Sequence, residues 1–227
     1  GVVTMILLVR HGEATHHTEH LTGGWTDSAL TEKGKSQMRF LAAKLAKDFS
    51  KHKIRTRILA SDLKRAKDSA QIIAEVLSEQ VEVMPFLREK NNGQAAGLDE
   101  RTARTLYVSP PSPKEIDHRN YPGGETRREF FERTINGLKT INNLERENYI
   151  IVAHKGTIQN IIFDWIGFNI EEVNERNFSF DILPASVTVL GINKWQEHAI
   201  FLLNETSHLH RDDGFGLFQF KYGINHR

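Results

Sequence analysis

Met5-Ile6-Leu7-Leu8-Val9, followed at once by Arg10-His11, is the stretch on which the architecture turns. An apolar run without alternation suits a strand buried on both faces, as in a mostly parallel sheet covered by helices on either side. Tyr149-Ile150-Ile151-Val152-Ala153 has the same character and also ends on a histidine, His154. Two such strands predict a layered α/β fold with polar residues placed just beyond the strand ends.

Working outward, Met38, Leu41, Ala42, Leu45 and Phe49 recur at helical spacing after Thr31, so an amphipathic helix follows the first strand. Ile58-Leu59-Ala60 reads as a second strand. Ser61 is the expected N-cap of a helix whose inner face carries Leu63, Ala66, Ala70, Ile73, Ala74 and Leu77. Residues 81–84 read as a third strand, and residues 51–57 as a solvated turn between helix and strand. Thr126-Arg127-Arg128-Glu129 is a capping box opening a helix with Phe131, Ile135, Leu138 and Ile141 inward. Ile158, Ile161, Ile162 and Trp165 form another helical stripe. Residues 186–192 and 198–203, joined by Asn193-Lys194-Trp195-Gln196, predict a closing antiparallel hairpin. The expected architecture is a three-layer α/β fold, a mixed, mostly parallel sheet with helices on both faces. Its 227 residues fit one domain, 1–227. Periodicity fails over residues 90–125, where Ser109-Pro110-Pro111-Ser112-Pro113 and Gly123-Gly124 mark an irregular excursion of the kind that shapes a site mouth. A tail over 210–227, with Phe215, Phe218, Phe220 and Tyr222, is apolar enough to dock on the core or on a partner.

Thirty basic residues against twenty-nine acidic ones leave a formal charge of +1, without the one-signed field expected of a nucleic-acid binder. There is no cysteine, which excludes thiolate nucleophiles and Cys-ligated zinc and fits a reducing compartment, so cytoplasm is the expected location. The run at 5–9 is too short for a signal segment or a membrane span, and no membrane role is expected. Monomer and homodimer both remain open.

Arg10 and His11 follow strand one, Arg65 opens the helix after strand two, Glu89 follows strand three, and His154 follows the late strand. In open α/β sheets the crevice outside the carboxyl ends of the strands is where ligands bind, so these residues can converge. Two guanidiniums, two imidazoles and one carboxylate make a cationic pocket with one acid, suited to a phosphate ester without a metal. Taken singly, each has a plainer reading: Arg65 as an exposed helix residue, His154 as a buried histidine, Glu89 as the ion-pair partner of Arg88. His16, His17 and His20 invite a zinc reading, but pocket-lining or structural roles rank ahead of it. The same caution applies to His208 and His210.

Taken together these residues resemble a known family. Leu8-Val9-Arg10-His11-Gly12-Glu13 is similar to the RHG signature of the histidine phosphatase, or phosphoglycerate mutase-like, superfamily. The likeness continues in order through Gly24-Trp25-Thr26-Asp27, Ser61-Asp62-Leu63-Lys64-Arg65-Ala66, Leu87-Arg88-Glu89, Pro122-Gly123-Gly124-Glu125, Val152-Ala153-His154 and the segment ending at Leu209. It implies the phosphoglycerate mutase-like fold and a double displacement without cofactor. In that reaction His11 is the nucleophile, Glu89 the acid and then the base, and Arg10, Arg65 and His154 hold the phosphoryl oxygens. It also places His17 and Gly24 at the substrate, with Lys155 either adding a cation to the substrate pocket or pointing away from it. The chain departs from the pattern at His17, where an asparagine usually touches the phosphate, at Ala14, and at Lys155 before Gly156. The implied function is hydrolysis of a small phosphate monoester. A phosphoglycerate mutase and a non-catalytic phospho-ligand binding module are the alternatives. Lys90, Asn91, Arg101, Arg104 and Tyr107 are candidates for substrate recognition by location alone.

Overall fold

The computed structural model describes residues 4–209. A six-stranded sheet has the order β3-β2-β4-β1-β5-β6, formed by β1 (Met5–Arg10), β2 (Arg57–Ala60), β3 (Val81–Val83), β4 (Tyr149–Ala153), β5 (Val187–Ile192) and β6 (His198–Glu205). β1 pairs in parallel with β4, and β2 lies in parallel with both β4 and β3. β5 runs antiparallel to β1 and β6 antiparallel to β5, so the expected hairpin closes an otherwise parallel sheet.

The uninterrupted apolar strands place side chains alternately on two faces, and each face carries its own core. Ile6 and Leu8 join Phe131, Ile135 and Leu138 of α5 (Arg127–Lys139) and Ile158, Ile161 and Ile162 of α6 (Lys155–Trp165). Leu7 and Val9 join Met38, Leu41 and Leu45 of α2 (Glu32–His52) and Ala66, Ala70 and Ile73 of α3 (Lys64–Leu77). This is the three-layer arrangement expected from the strand pattern. Fully burying one such Leu or Ile contributes about 1.5–3 kcal/mol, so β1 is clamped between two cores and its end is a rigid platform.

Boundaries differ from expectation in instructive ways. Ser61 does not cap α3. The helix begins at Lys64 with Leu63 in the N-cap position, the Lys64 amide donates to Asp27 Oδ1 at 2.7 Å, and the Ser61 hydroxyl lies 2.9 Å from His154 Nε2. α2 continues through His52, the chain leaves it at Lys53 in a left-handed conformation with φ 55°, and β2 starts at Arg57, so only residues 53–56 of the 51–57 segment connect helix and strand. Ile141 falls beyond the end of α5, which stops at Lys139. The capping box at Thr126 and Glu129 is present with both reciprocal hydrogen bonds. The excursion contains one short helix, α4 (Glu100–Arg104), capped by the Asp99 carboxylate. A single-turn helix α1 (Thr15–Thr18) and a seven-residue α7 (Ile170–Arg176) complete the described structure. The aromatic tail lies outside the described residues. Among the described residues no helix is long and apolar enough to cross a membrane.

Candidate active site

The end of β1 is tied into its neighbours by backbone. The His11 amide donates to Ala153 O at 3.2 Å, and the Ala185 amide donates to Arg10 O at 2.9 Å. Gly12 follows because nothing larger fits: a Cβ there would lie 2.5 Å from Gly34 O at the start of α2. His11 is almost fully buried, with 2% exposure. Its Nδ1 lies 2.7 Å from Gly12 O, and a carbonyl can only accept, so Nδ1 carries the proton and Nε2 presents a lone pair. Burial, then the neighbouring His154, Arg10 and Arg65, hold the His11 pKa well below its ordinary value, so the ring is neutral.

The four residues named with His11 gather around it. The His154 ring centroid is 5.1 Å from that of His11. His154 is buried, neutral for the same reasons, and bonded through Nε2 to Ser61 Oγ at 2.9 Å. Arg65, 1% exposed, is held by backbone carbonyls: Nη1 donates to Thr26 O and Nη2 to Gly24 O at 2.7 Å. Arg10 Nη1 donates to Ile182 O at 2.7 Å. Burial lowers both guanidinium pKa values to about 10, which leaves them cationic at neutral pH. Arg10 Nε, Arg65 Nε and His154 Nδ1 are buried and make no hydrogen bond within the protein, as is Ser186 Oγ. Buried polar atoms are rarely left so, and the first three belong to residues clustered about one imidazole.

Glu89 is not the partner of Arg88. Arg88 instead forms a two-point ion pair with Asp62, at 2.7 and 2.8 Å. The Glu89 carboxylate accepts from Gly156 N at 3.1 Å and Lys90 N at 3.0 Å, which seats it at the N-terminus of α6. Its backbone carbonyl is gripped by Trp25 Nε1 at 2.8 Å and Arg133 Nη2 at 2.9 Å. Gly156 is required, since a Cβ there would stand 2.4 Å from Glu89 Oε1. The electrostatic influence of Glu89 on both Arg10 and Arg65 puts its charge within reach of the same centre.

The three residues expected at the substrate are placed differently from one another. His17 stands at the rim with its ring stacked 6.1 Å from His11. The Ala14 amide donates to its Nδ1 at 3.1 Å, so the neutral ring carries its proton on Nε2, the atom 3.3 Å from Arg10 Nη2. Burial and the two arginines draw the His17 pKa down to about 4, an effect weakened by water because the residue is exposed on its outer side. Gly24, at φ 56°, supplies the carbonyl that orients Arg65. Lys155 is turned toward Asp181, with its ammonium 3.7 Å from that carboxylate and about half exposed. The zinc reading loses its premise, because α1 ends at Thr18 and His20 lies beyond it at φ 54°.

His16, His17, Gly24, Glu89, Lys90 and Tyr121 line an open cleft of about 610 Å³. Several contributors have no specific part assigned to them by the sequence. Arg133 pairs with Glu125 at 2.8 Å and donates to the carbonyls of Phe86, Arg88 and Glu89, clamping the segment that carries the acid. Asn92 braces the Arg65 cradle by accepting from Trp25 N at 3.0 Å and donating to Gly23 O at 3.2 Å. His16 packs 4.0 Å from His17 and contacts Ser28 Oγ at 2.7 Å, and burial lowers its pKa to about 3. Among the candidates named by location, Lys90 and Asn91 line the cleft, whereas Arg101, Arg104 and Tyr107 are not among its lining residues.

Comparison with known proteins agrees with this arrangement. The family model of the histidine phosphatase superfamily (branch 1) matches residues 6–205. A metal-independent phosphoserine phosphatase of Arabidopsis thaliana is 30% identical over 217 residues, covering 91% of this chain and 84% of that protein. A 2,3-bisphosphoglycerate-dependent phosphoglycerate mutase of Bartonella henselae is 28% identical, over 78% of this chain and 88% of its own length. Among solved structures, the alpha-ribazole phosphatase of Shigella flexneri superimposes with a TM-score of 0.72 at 22% identity, covering 89% of this chain and 97% of that one, and so shares the fold. With the family model running from β1 through β6, the chain belongs to branch 1 of the histidine phosphatase superfamily.

Proposed function

We propose that this protein is a metal-independent phosphatase that hydrolyses small phosphate monoesters through a phosphohistidine at Nε2 of His11. The observation that carries the reading is a neutral imidazole with its lone pair on Nε2, surrounded by Arg10, Arg65 and His154, each with a buried nitrogen lacking a protein partner. An imidazole nucleophile must be neutral and an incoming phosphoryl group needs cationic or N–H donors, and both conditions are met at one place. His17 Nε2–H and Arg10 Nη2 face each other as two donors, an arrangement relieved when one anionic oxygen sits between them. His17 thus takes the place of the family's asparagine.

In the first step the Nε2 lone pair forms the N–P bond as the P–O bond to the leaving group breaks. Glu89, entering the step with a proton taken up from solvent, gives that proton to the departing oxygen, and the ring's positive charge is shared with Gly12 O through Nδ1–H. In the second step water attacks phosphorus and Glu89 takes its proton. The N–P bond then breaks and inorganic phosphate leaves. Hydrolysis of an aryl phosphate in excess chelator is the test, with rapid denaturation to trap an acid-labile phosphoenzyme. His11→Ala is expected to lose the phosphoenzyme and about 10⁶ of kcat, the scale on which nucleophile deletions fall. Retention of either would end the proposal.

A second reading, phosphoryl transfer between positions of a phosphoglycerate, draws on Lys90. This lysine lines the cleft, and its pKa is lowered by burial and by the nearby charge of Arg127, so two cations approach each other beside Glu89. Such a pair suits a second anionic group on the substrate. Measuring phosphoglycerate interconversion beside hydrolysis separates the two.

A further inference from the structure

We propose that Ser61 is a positioning residue that acts through His154, fixing the tautomer in which Nδ1 carries the proton. The inference rests on the phosphatase reading only in assigning Nδ1 to the phosphoryl group, since the proton count stands without it. Ser61 is wholly buried, directly after β2, with its amide bonded to Val152 O at 3.0 Å so that it lies beside the end of β4. Its hydroxyl has two neighbours. The Leu63 amide donates to Oγ at 3.2 Å, and His154 Nε2 lies 2.9 Å away.

A serine hydroxyl has one proton to give and two lone pairs. Leu63 N–H occupies a lone pair, so the hydroxyl proton must find an acceptor, and among the described residues the one within reach is His154 Nε2. If the ring instead donated from Nε2, two buried groups would be stranded. The serine proton would have no acceptor, and Nδ1 would present a lone pair to a centre rich in cations and meant for an anion. With Ser61 donating, Nε2 is satisfied as acceptor and the neutral ring must hold its proton on Nδ1, the buried nitrogen with no partner in the protein. Burial beside Arg65 and Arg10 disfavours the doubly protonated ring, so the choice between tautomers is what remains to be set.

The tautomer can be read directly. In protein labelled with ¹⁵N-histidine, with the His154 resonances identified by their loss in His154→Asn, the expected wild-type pattern is a protonated Nδ1 and an unprotonated Nε2. Ser61→Ala, a smaller residue at a buried site, is expected to move that proton toward Nε2. It is also expected to lower kcat for an aryl phosphate by about 10²-fold, the scale for loss of one oriented donor. A wild-type ring protonated on Nε2, or on both nitrogens, would overturn the proposal, as would a Ser61→Ala spectrum unchanged from wild type. These outcomes do not depend on turnover. A wild-type protein without phosphatase activity but with the Nδ1–H tautomer would sink the phosphatase reading and leave the Ser61 assignment standing.

Discussion

The phosphate cup and the mouth above it are built by opposite means. In the cup, side chains are buried and held by backbone carbonyls: Gly12 O for His11, Ile182 O for Arg10, and Thr26 O and Gly24 O for Arg65. The outer mouth, around residues 105–124, is fastened by ion pairs between exposed side chains. Arg128 bridges Asp117 and Glu171, Arg119 meets Glu129, and Lys114 reaches Glu175 at 3.0 Å. A carbonyl on a clamped strand fixes an angle, whereas a solvated pair of long side chains fixes little and is worth about 0–1 kcal/mol. Chemistry that depends on geometry therefore sits on strand ends, and selection among substrates is left to an excursion that can change without disturbing it.

After loss of the nucleophile itself, the largest expected effect lies in the cup. Arg65→Ala removes an oriented cation from the phosphoryl centre, and kcat should fall by about 10²- to 10³-fold. Lysine should not restore it, because a compact ammonium on a flexible stem does not reproduce the planar fork whose two Nη atoms reach the carbonyls of Thr26 and Gly24 while Nε stays unpaired. Steady-state kinetics beside a thermal melt make the check. A loss confined to KM would mean that the arginine only gathers substrate and that the cup is less different from the mouth than its geometry indicates.

That division also explains what could be read from the chain. β1, β4 and their histidines are legible because a strand buried on both faces leaves an uninterrupted apolar run, and a strand end is a position defined by sequence. Arg65 and Glu89 follow strands in the same way. The Ser61 hydroxyl was misassigned because a serine before an apolar stripe signals an N-cap. Its true partner, His154, is 93 residues away and becomes a neighbour only through the pairing of β2 with β4. Arg133 gives no signal for the same reason, since it acts on backbone carbonyls brought near by folding, and the position of Asn92 soon after Glu89 does not disclose its hold on Trp25 N and Gly23 O. α7 could have been found: Asn169 and Glu172 form a capping box of the kind recognised at Thr126. In the mouth the residues are polar and aperiodic, and no local rule orders exposed charges into pairs.

Acid should separate the regions by pH window. His11 and His154 have folded-state pKa values well below 6.5, so at pH 7 the folded rings are neutral and the unfolded ones mostly so, and little pH dependence arises there. As pH falls below 6.5 the unfolded chain gains protons that the folded chain refuses, and stability drops by about 1.4 kcal/mol per pH unit for each. The cost of the pair should grow as pH falls below 6.5, joined by that of His16 and His17, whose folded values are about 3 and about 4, and His154→Asn should make the slope shallower. The mouth responds later and with the opposite kind of group. The Arg119 guanidinium and the amide of Thr126 lower the Glu129 pKa to about 2, so its contribution is present above pH 4.5 and fades as pH falls toward that value. Denaturant titrations at half-unit steps of pH would resolve the windows. A stability profile flat from 7 to 5 would contradict the neutral, buried state assigned to the two rings.

The smallest effect is expected at Arg128, and it is the sharpest test of the contrast. Arg128→Ala deletes the contacts to Asp117 and Glu171 together, although its amide still reaches Ile116 O at 3.4 Å. An exposed network of this kind contributes about 1 kcal/mol or less, corresponding to a shift in Tm of roughly 2–4 °C for a chain of this size. Molar salt, with a Debye length of about 3 Å, should erase most of the difference between variant and parent. Hydrolysis of a small aryl phosphate engages the cup alone, so its kcat should stay within about twofold, the range expected for a surface change remote from the oriented donors. Bulkier esters, which must lie along the cleft, should show a raised KM. If kcat for the aryl ester fell tenfold instead, the ion pairs of the excursion would be helping to hold Glu89 through α5 and Arg133, and the mouth would have to be counted as part of the catalytic frame.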